Sequence, residues 1–195
     1  MNKNRLEAFS DGVLAIIITI MILEIKVPKG DTFDDLKSLF SIFISYILSF
    51  IYIGIYWNNH HHLLQSVTKV NGKILWANLH LLFWLSLIPF TTGWMGEHHF
   101  ARATMTMYGL ILLFCAIAFV LLQNIIISNE GKNSLLSKAV GKDNKGKLSL
   151  GLYLIAIFCS FYNEWISAAI YFTVAMIWLI PDSRIEKEIN AKNSK

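Results

Sequence analysis

The sequence predicts an all-α integral membrane protein with six transmembrane helices in each chain. Three observations lead there. Hydrophobic residues fill 55% of the 195 positions and charged residues only 15%, for a mean hydropathy of +0.51. A soluble domain averages about 45–50% apolar and about 25% charged, and one core of this size cannot absorb the excess. Apolar runs long enough, or nearly so, to cross a bilayer recur six times along the chain. Finally, the basic residues gather in the segments that would share one side of the membrane.

A hydrocarbon core about 30 Å thick takes about 20 residues of helix. The six runs cover 6–27, 36–57, 74–94, 104–127, 148–162 and 166–180 within one domain, 1–195. The first is read as a permanent helix and not a signal peptide: it is too long, contains Asp11, and has no small-residue cleavage site before Pro28. The third carries Pro89, which should kink it toward its outer end. The fifth and sixth are short and separated only by Asn163, Glu164 and Trp165, so they should form a tight hairpin. The polar linker 129–147, rich in Gly, Lys, Asn and Ser, reads as a solvated cytoplasmic loop, or as a basic segment against anionic headgroups. Residues 182–195 form a polar cytoplasmic tail.

Orientation follows from lysine and arginine counts in the loops. With the N-terminus inside, thirteen of the 17 basic residues lie on the cytoplasmic side. Only Lys26, Lys29, Lys37 and Arg102 lie outside. Both termini are therefore expected in the cytoplasm of a cell-membrane protein. The net charge of +4 is a topology signal and gives no reason to invoke nucleic acid. Two cysteines, Cys115 and Cys159, both in apolar runs, make neither a disulfide framework nor a thiolate metal cage.

Functional information sits in polar residues where lipid would reject them. An Asp at the middle of a helix costs about 2.5–3.5 kcal/mol on insertion scales, so it should face protein or water and find a partner. Asp11, with Ser10 beside it and Arg5 a turn and a half earlier, is such a residue, although it lies near the cytoplasmic end of its run. It reads either as an interfacial carboxylate or as part of a network tying the first helix to its neighbours. At about 100° per residue, Phe9, Gly12, Ile20 and Leu23 lie within about 40° of Ile16 and Thr19 about 60° away. Asp11 points about 140° away. One face is thus an uncharged stripe, either lipid-facing or lining a water path. In the second case Asp11 would face the bundle interior.

The second helix ends in Trp57, Asn58, Asn59, His60, His61 and His62. Consecutive helical histidines diverge by about 100° and cannot share one metal. No HExxH spacing is present, so neither a metal site nor a cofactor is expected. These histidines are better candidates for bonding Ser10 or Asp11 across the antiparallel first and second helices, and Asn78, in the cytoplasmic half of the third helix, is placed to reach the same network. His98 and His99 fall in an outer loop beside Glu97, where they are solvated or sense protons. No nucleophile–base pair points to an enzyme.

The run Arg5-Leu-Glu-Ala-Phe9-Ser10-Asp11, followed by the apolar helix to Thr19, resembles the RxxxFSD signature of prokaryotic homologues of the lysosomal potassium channel, transmembrane protein 175. Trp57-x-x-His60-His61, Trp76-Ala-Asn78 and Leu85-Ser-Leu-Ile-Pro89-Phe-Thr91 are similar to that family's second and third helices. The resemblance covers roughly residues 5–95. It implies a homotetramer of six-helix chains around a central pore lined by the first helix, without a TVGYG filter. It further implies a constriction at Ile16, further rings at Thr19, Ile20 and Leu23, and a polar scaffold of Arg5, Ser10, Asp11, His61 and Asn78. The implied function is a potassium-preferring channel with a hydrophobic constriction, its partners being potassium ions, the lipid bilayer and copies of itself.

A ring of isoleucines has no oxygen to replace an ion's water shell, so selectivity would rest on the neck's size or on hydroxyls such as Thr19. The competing reading is a secondary transporter using Asp11 and the histidines as a proton relay. It lacks the inverted repeat and paired broken helices such proteins show.

Overall fold

The structure is a computed structural model, and it describes residues 2–131, 134–141 and 143–179. The tail 182–195, the last residue of the run 166–180, and Lys132, Asn133 and Lys142 of the linker lie outside the described residues. In hydrocarbon every backbone N–H and C=O must be satisfied within the segment, which makes helices the natural solution. The described residues are helical almost throughout. They form α1 (Lys3–Leu23), α2 (Phe33–Lys37), α3 (Phe40–Gln65), α4 (Gly72–Ser86), α5 (Ile88–Glu97), α6 (Arg102–Glu130), α7 (Leu135–Val140), α8 (Asn144–Ser160) and α9 (Glu164–Leu179).

Local sequence sets the helix starts. Asn2, Asn71, Ser134 and Asp143 each accept a backbone N–H of the first turn of α1, α4, α7 and α8. Thr32 and Asp35 close a reciprocal capping box on α2. The Thr32 hydroxyl and backbone N–H hold the Asp35 carboxyl below its ordinary range. Helical register breaks at Leu87, two residues before Pro89, because the proline ring has no N–H to continue the ladder. The polar linker is more ordered than its composition suggests. It contains α7, whose Leu136 is fully buried, and α8 begins inside it.

Four segments are long and apolar enough to cross a membrane: Lys3–Leu23, Phe40–Gln65, Gly72–Glu97 and Arg102–Glu130. The chain is a multi-pass membrane protein. α8 and α9 are shorter, at 17 and 16 residues. α6 is the central element, packed against α4, α5, α8 and α9, whereas α1 packs chiefly on α3, α4 and α5. Small side chains permit close approach, as membrane helix pairs require. A Cβ at Gly96 would sit 2.9 Å from the Ile42 Cα, so α3 and α5 meet there through a glycine. Just past the C-terminal end of α1, Lys26 donates to Glu97 at 2.6 Å. That bond and the Glu97 charge raise the Lys26 pKa above the ordinary lysine range.

Candidate functional site

α1 presents two different faces. Leu6, Ser10, Leu14, Ile17 and Met21 recur at spacings of three and four and are buried against the chain's own helices. Ile16 (58% exposed), Ile20 (43%) and Leu23 (80%) lie on the opposite side, with Thr19 also exposed among them. The Thr19 hydroxyl donates to the Ile16 carbonyl at 2.8 Å and the Ala15 carbonyl at 3.1 Å. Its proton is thereby committed to the helix while its oxygen faces outward.

The buried face is tied down by a chain of hydrogen bonds. Ser10 Oγ donates to the Leu6 carbonyl at 2.9 Å, and Asn78 Nδ2 of α4 donates to Ser10 Oγ at 2.9 Å. His60 Nε2 of α3 lies 2.6 Å from Asn78 Oδ1 and donates to it, since that amide oxygen is an acceptor. Ser10 and Asn78 are fully buried and His60 nearly so. The bonds run in one direction across α3, α4 and α1, with each polar atom along them matched.

Of the scaffold residues expected from sequence, Ser10 and Asn78 meet directly. The histidine that joins them is His60 and not His61. The buried positions of α3 explain this: Ser45, Ser49, Tyr52, Tyr56, His60 and Leu63 recur at three and four residues, and His61 falls off that stripe. His61 instead stacks on Trp57, with ring centroids 6.1 Å apart, and lies 2.8 Å from Gln65 Nε2. Asp11 does not face the bundle interior. It is exposed, and its Oδ1 accepts from Trp57 Nε1 at 3.0 Å. The buried arc of α1 centres about 120° from Ile16, leaving Asp11 about 100° off it. Arg5 is exposed and forms no ion pair among the described residues. Lys3 supplies the contact between the N-terminal end of α1 and α3, donating to the Gln65 carbonyl at 2.8 Å.

Among the described residues no group of three or more His, Cys, Asp or Glu is placed to hold a metal. Between α5 and α6, His99 Nδ1 lies 3.0 Å from Ser41 Oγ, and the His98 ring meets Trp94 edge-on.

Comparison with known proteins now identifies the family. The model of the endosomal/lysosomal potassium channel TMEM175 family matches residues 5–89. A potassium channel of Chryseobacterium sp. (strain P1-3) is 56% identical over 97% of this chain and 98% of its own. This chain belongs to the TMEM175 family. A potassium channel of Chamaesiphon minutus is 31% identical over 90% of this chain and 93% of its own. The crystal structure of a lysosomal potassium-selective channel TMEM175 homolog from the same organism superposes with a TM-score of 0.82, at 31% identity, covering 92% of this chain and 97% of that one. The endosomal/lysosomal proton channel TMEM175 of Danio rerio is 24% identical over 92% of this chain, which spans 36% of its length. TMEM175 proteins are ion channels and not a class of enzyme.

Proposed function

We propose that this TMEM175-family chain forms a potassium-preferring cation channel as a homotetramer, with α1 from each copy lining a central pore in the cell membrane. One observation carries the reading. α1 turns an exposed apolar stripe away from its own bundle, while the Ser10–Asn78–His60 chain fixes the opposite face. A helix that served only as membrane filler would need no such tie. Four stripes facing one axis would set rings of Ile16, Thr19, Ile20 and Leu23 along the path. Ile16 is the narrowest of these rings, and its barrier is largely dehydration. Thr19 is the source of oxygen nearest the neck, since its hydroxyl proton is already taken by its own helix and its lone pairs are free to meet an ion. Asp11 and Arg5, exposed on the single chain, fall where neighbouring copies would meet.

The same proposal takes six crossings per chain with both termini cytoplasmic. α8 and α9 reach about 25 Å each, a little short of a typical core, and thinning of the bilayer accommodates that difference.

Reconstitution into liposomes, with potassium and sodium flux measured side by side, tests the whole. Ile16→Asn puts amides in the neck and keeps it wet, so conductance should rise and discrimination fall. An unchanged flux ratio would move the pore elsewhere. Flux that requires an opposing proton gradient would favour the transporter.

A further inference from the structure

The junction of α3, α6, α8 and α9, on the far side of α3 from the proposed pore, is hollow. A cavity of about 50 Å³ lies there, walled by residues of those four helices and of the α8 cap, with none from α1, α4 or α5. One water needs about 10–15 Å³ on this scale, so the space suits a few waters or one small solute. Tyr56, Phe119, Tyr153 and Trp178 give it aromatic surface, and Gln123 and Asp143 give it polar groups.

Three features of this wall point to the chemistry of an occupant. Tyr56 is only 9% exposed, yet its hydroxyl makes no hydrogen bond among the described residues. The hydroxyl is open to the cavity although the ring is buried, so its partner must come from whatever fills that space. Asp143 caps α8 through Oδ1, which accepts from the Gly146 N–H at 3.2 Å, but its Oδ2 has only a long 3.4 Å contact from Gln123 Nε2. No lysine or arginine ion-pairs with this carboxylate among the described residues. The aromatic wall also already receives one ammonium at its rim, where Lys145 Nζ stands 5.8 Å from the centre of the Trp178 ring. Aromatic surface attracts cations through the ring quadrupole.

From these groups we infer that the cavity binds a small primary ammonium ion, with Asp143 balancing its charge, Tyr56 Oη accepting an N–H, and the aromatic side chains packing its alkyl part. Other occupants fit less well. The carboxylate repels an anion. An acyl chain would leave the Tyr56 hydroxyl without a partner and the Asp143 charge unbalanced.

The test is a ligand-observed NMR titration of the full-length protein in lipid nanodiscs, with isopropylammonium and its neutral counterpart isopropanol. The ammonium should bind saturably and at least about tenfold more tightly than the alcohol. Asp143→Asn keeps a capping side chain and removes the charge, so it should weaken ammonium binding about tenfold, and Tyr56→Phe should weaken it about threefold. Ile16→Asn lies outside the cavity and should leave the affinity unchanged. Equal binding of the two probes, or no saturable ammonium binding, would make this an apolar or hydrated void and overturn the inference. Binding lost in Ile16→Asn but kept in both Asp143→Asn and Tyr56→Phe would place the ammonium in the pore, overturning it equally. Should Asp143→Asn fail to fold, Tyr56→Phe and the two probes on the wild-type chain decide the matter.

Discussion

α1 and α6 are both long and apolar, yet they are built differently. α6 is the more hydropathic, with a window mean of 2.8 against 2.1, and it buries 44% of that window against 28% for α1. α6 packs against four other helices, and its buried positions are mainly aliphatic with Tyr108 and Gln123 among them. α1 buries one stripe, and the most constrained residue in that stripe is a serine. Hydropathy ranks α6 first as a membrane span, but it cannot tell a scaffold helix from one with business on its other side. The distinction comes from where the polar atoms are fixed.

The two isoleucines at the centre of α1 give the largest contrast. Ile17 is 2% exposed and Ile16 58%. Ile17→Asn buries an amide among aliphatic side chains and loses their packing, a change of about 4 kcal/mol, so tetramer yield in mild detergent should collapse. Ile16→Asn should assemble normally and alter the flux ratio. The comparison with α6 sharpens this. Ile117 is also exposed, at 42%, but on a helix assigned to scaffold and lipid. Ile117→Asn should leave the potassium-to-sodium ratio untouched. If Ile117→Asn and Ile16→Asn shift the ratio alike, α1 has no special place in permeation.

Asn78→Ala comes next. It strands Ser10 Oγ as an acceptor and the His60 N–H as a donor, costing about 2 kcal/mol. The midpoint of thermal unfolding should fall, whereas the matching change at His61, which bonds only Gln65, should move it little. A larger loss at His61 would mean the buried chain is not what holds α1. Asp11→Ala removes the acceptor of Trp57 and the carboxylate proposed to meet a neighbouring copy. Crosslinking should report fewer tetramers, with conduction per surviving tetramer unchanged; the opposite pattern would make Asp11 part of the permeation path. Lys26→Ala should have the smallest effect, since its pair with Glu97 is exposed. The Lys26 pKa is raised, so its contribution is complete below the ordinary lysine value and fades only as pH climbs past the folded one. Unfolding midpoints measured between roughly pH 7 and 9 should therefore not respond to this pair.

Several of these features were legible before any coordinates. Helical angle alone placed Ile16, Thr19, Ile20 and Leu23 on one face, because the 3.6-residue period is strict in a helix that must satisfy its own backbone. That Asn78 reaches the network around Ser10 and Asp11 was legible from its depth in the third run, at the same end as Ser10 in the first. The choice of His60 over His61 was also present in the chain, in the Ser45-Ser49-Tyr52-Tyr56 stripe, but the run of three histidines drew the eye to composition and away from register. Asp11 is exposed and bonds Trp57, because opposite the stripe is not the same direction as toward the bundle: three helices pack on α1 from one side, and their common centre is not at 180°. The short helix α7 has its signals in Ser134 and Gly141, a cap and a stop, yet six residues are too few for periodicity to stand out from a polar linker.

The interruption at Leu87 has a mechanical meaning for α1. Below it, α4 carries Asn78, the bolt of the Ser10 tie. Above it, α5 carries Thr92, whose hydroxyl lies 4.0 Å from the Met21 sulfur, and Gly93, which leaves room for the Glu24 side chain. α1 is thus gripped by two clamps on separate stems, α4 and α5, which meet at Leu87. The clamp on α4 is polar and directional, so it fixes rotation. The one on α5 is mostly van der Waals contact along the helix, with the Lys26–Glu97 pair just past its end. A straight helix without Pro89 would have welded the two into one rigid bracket.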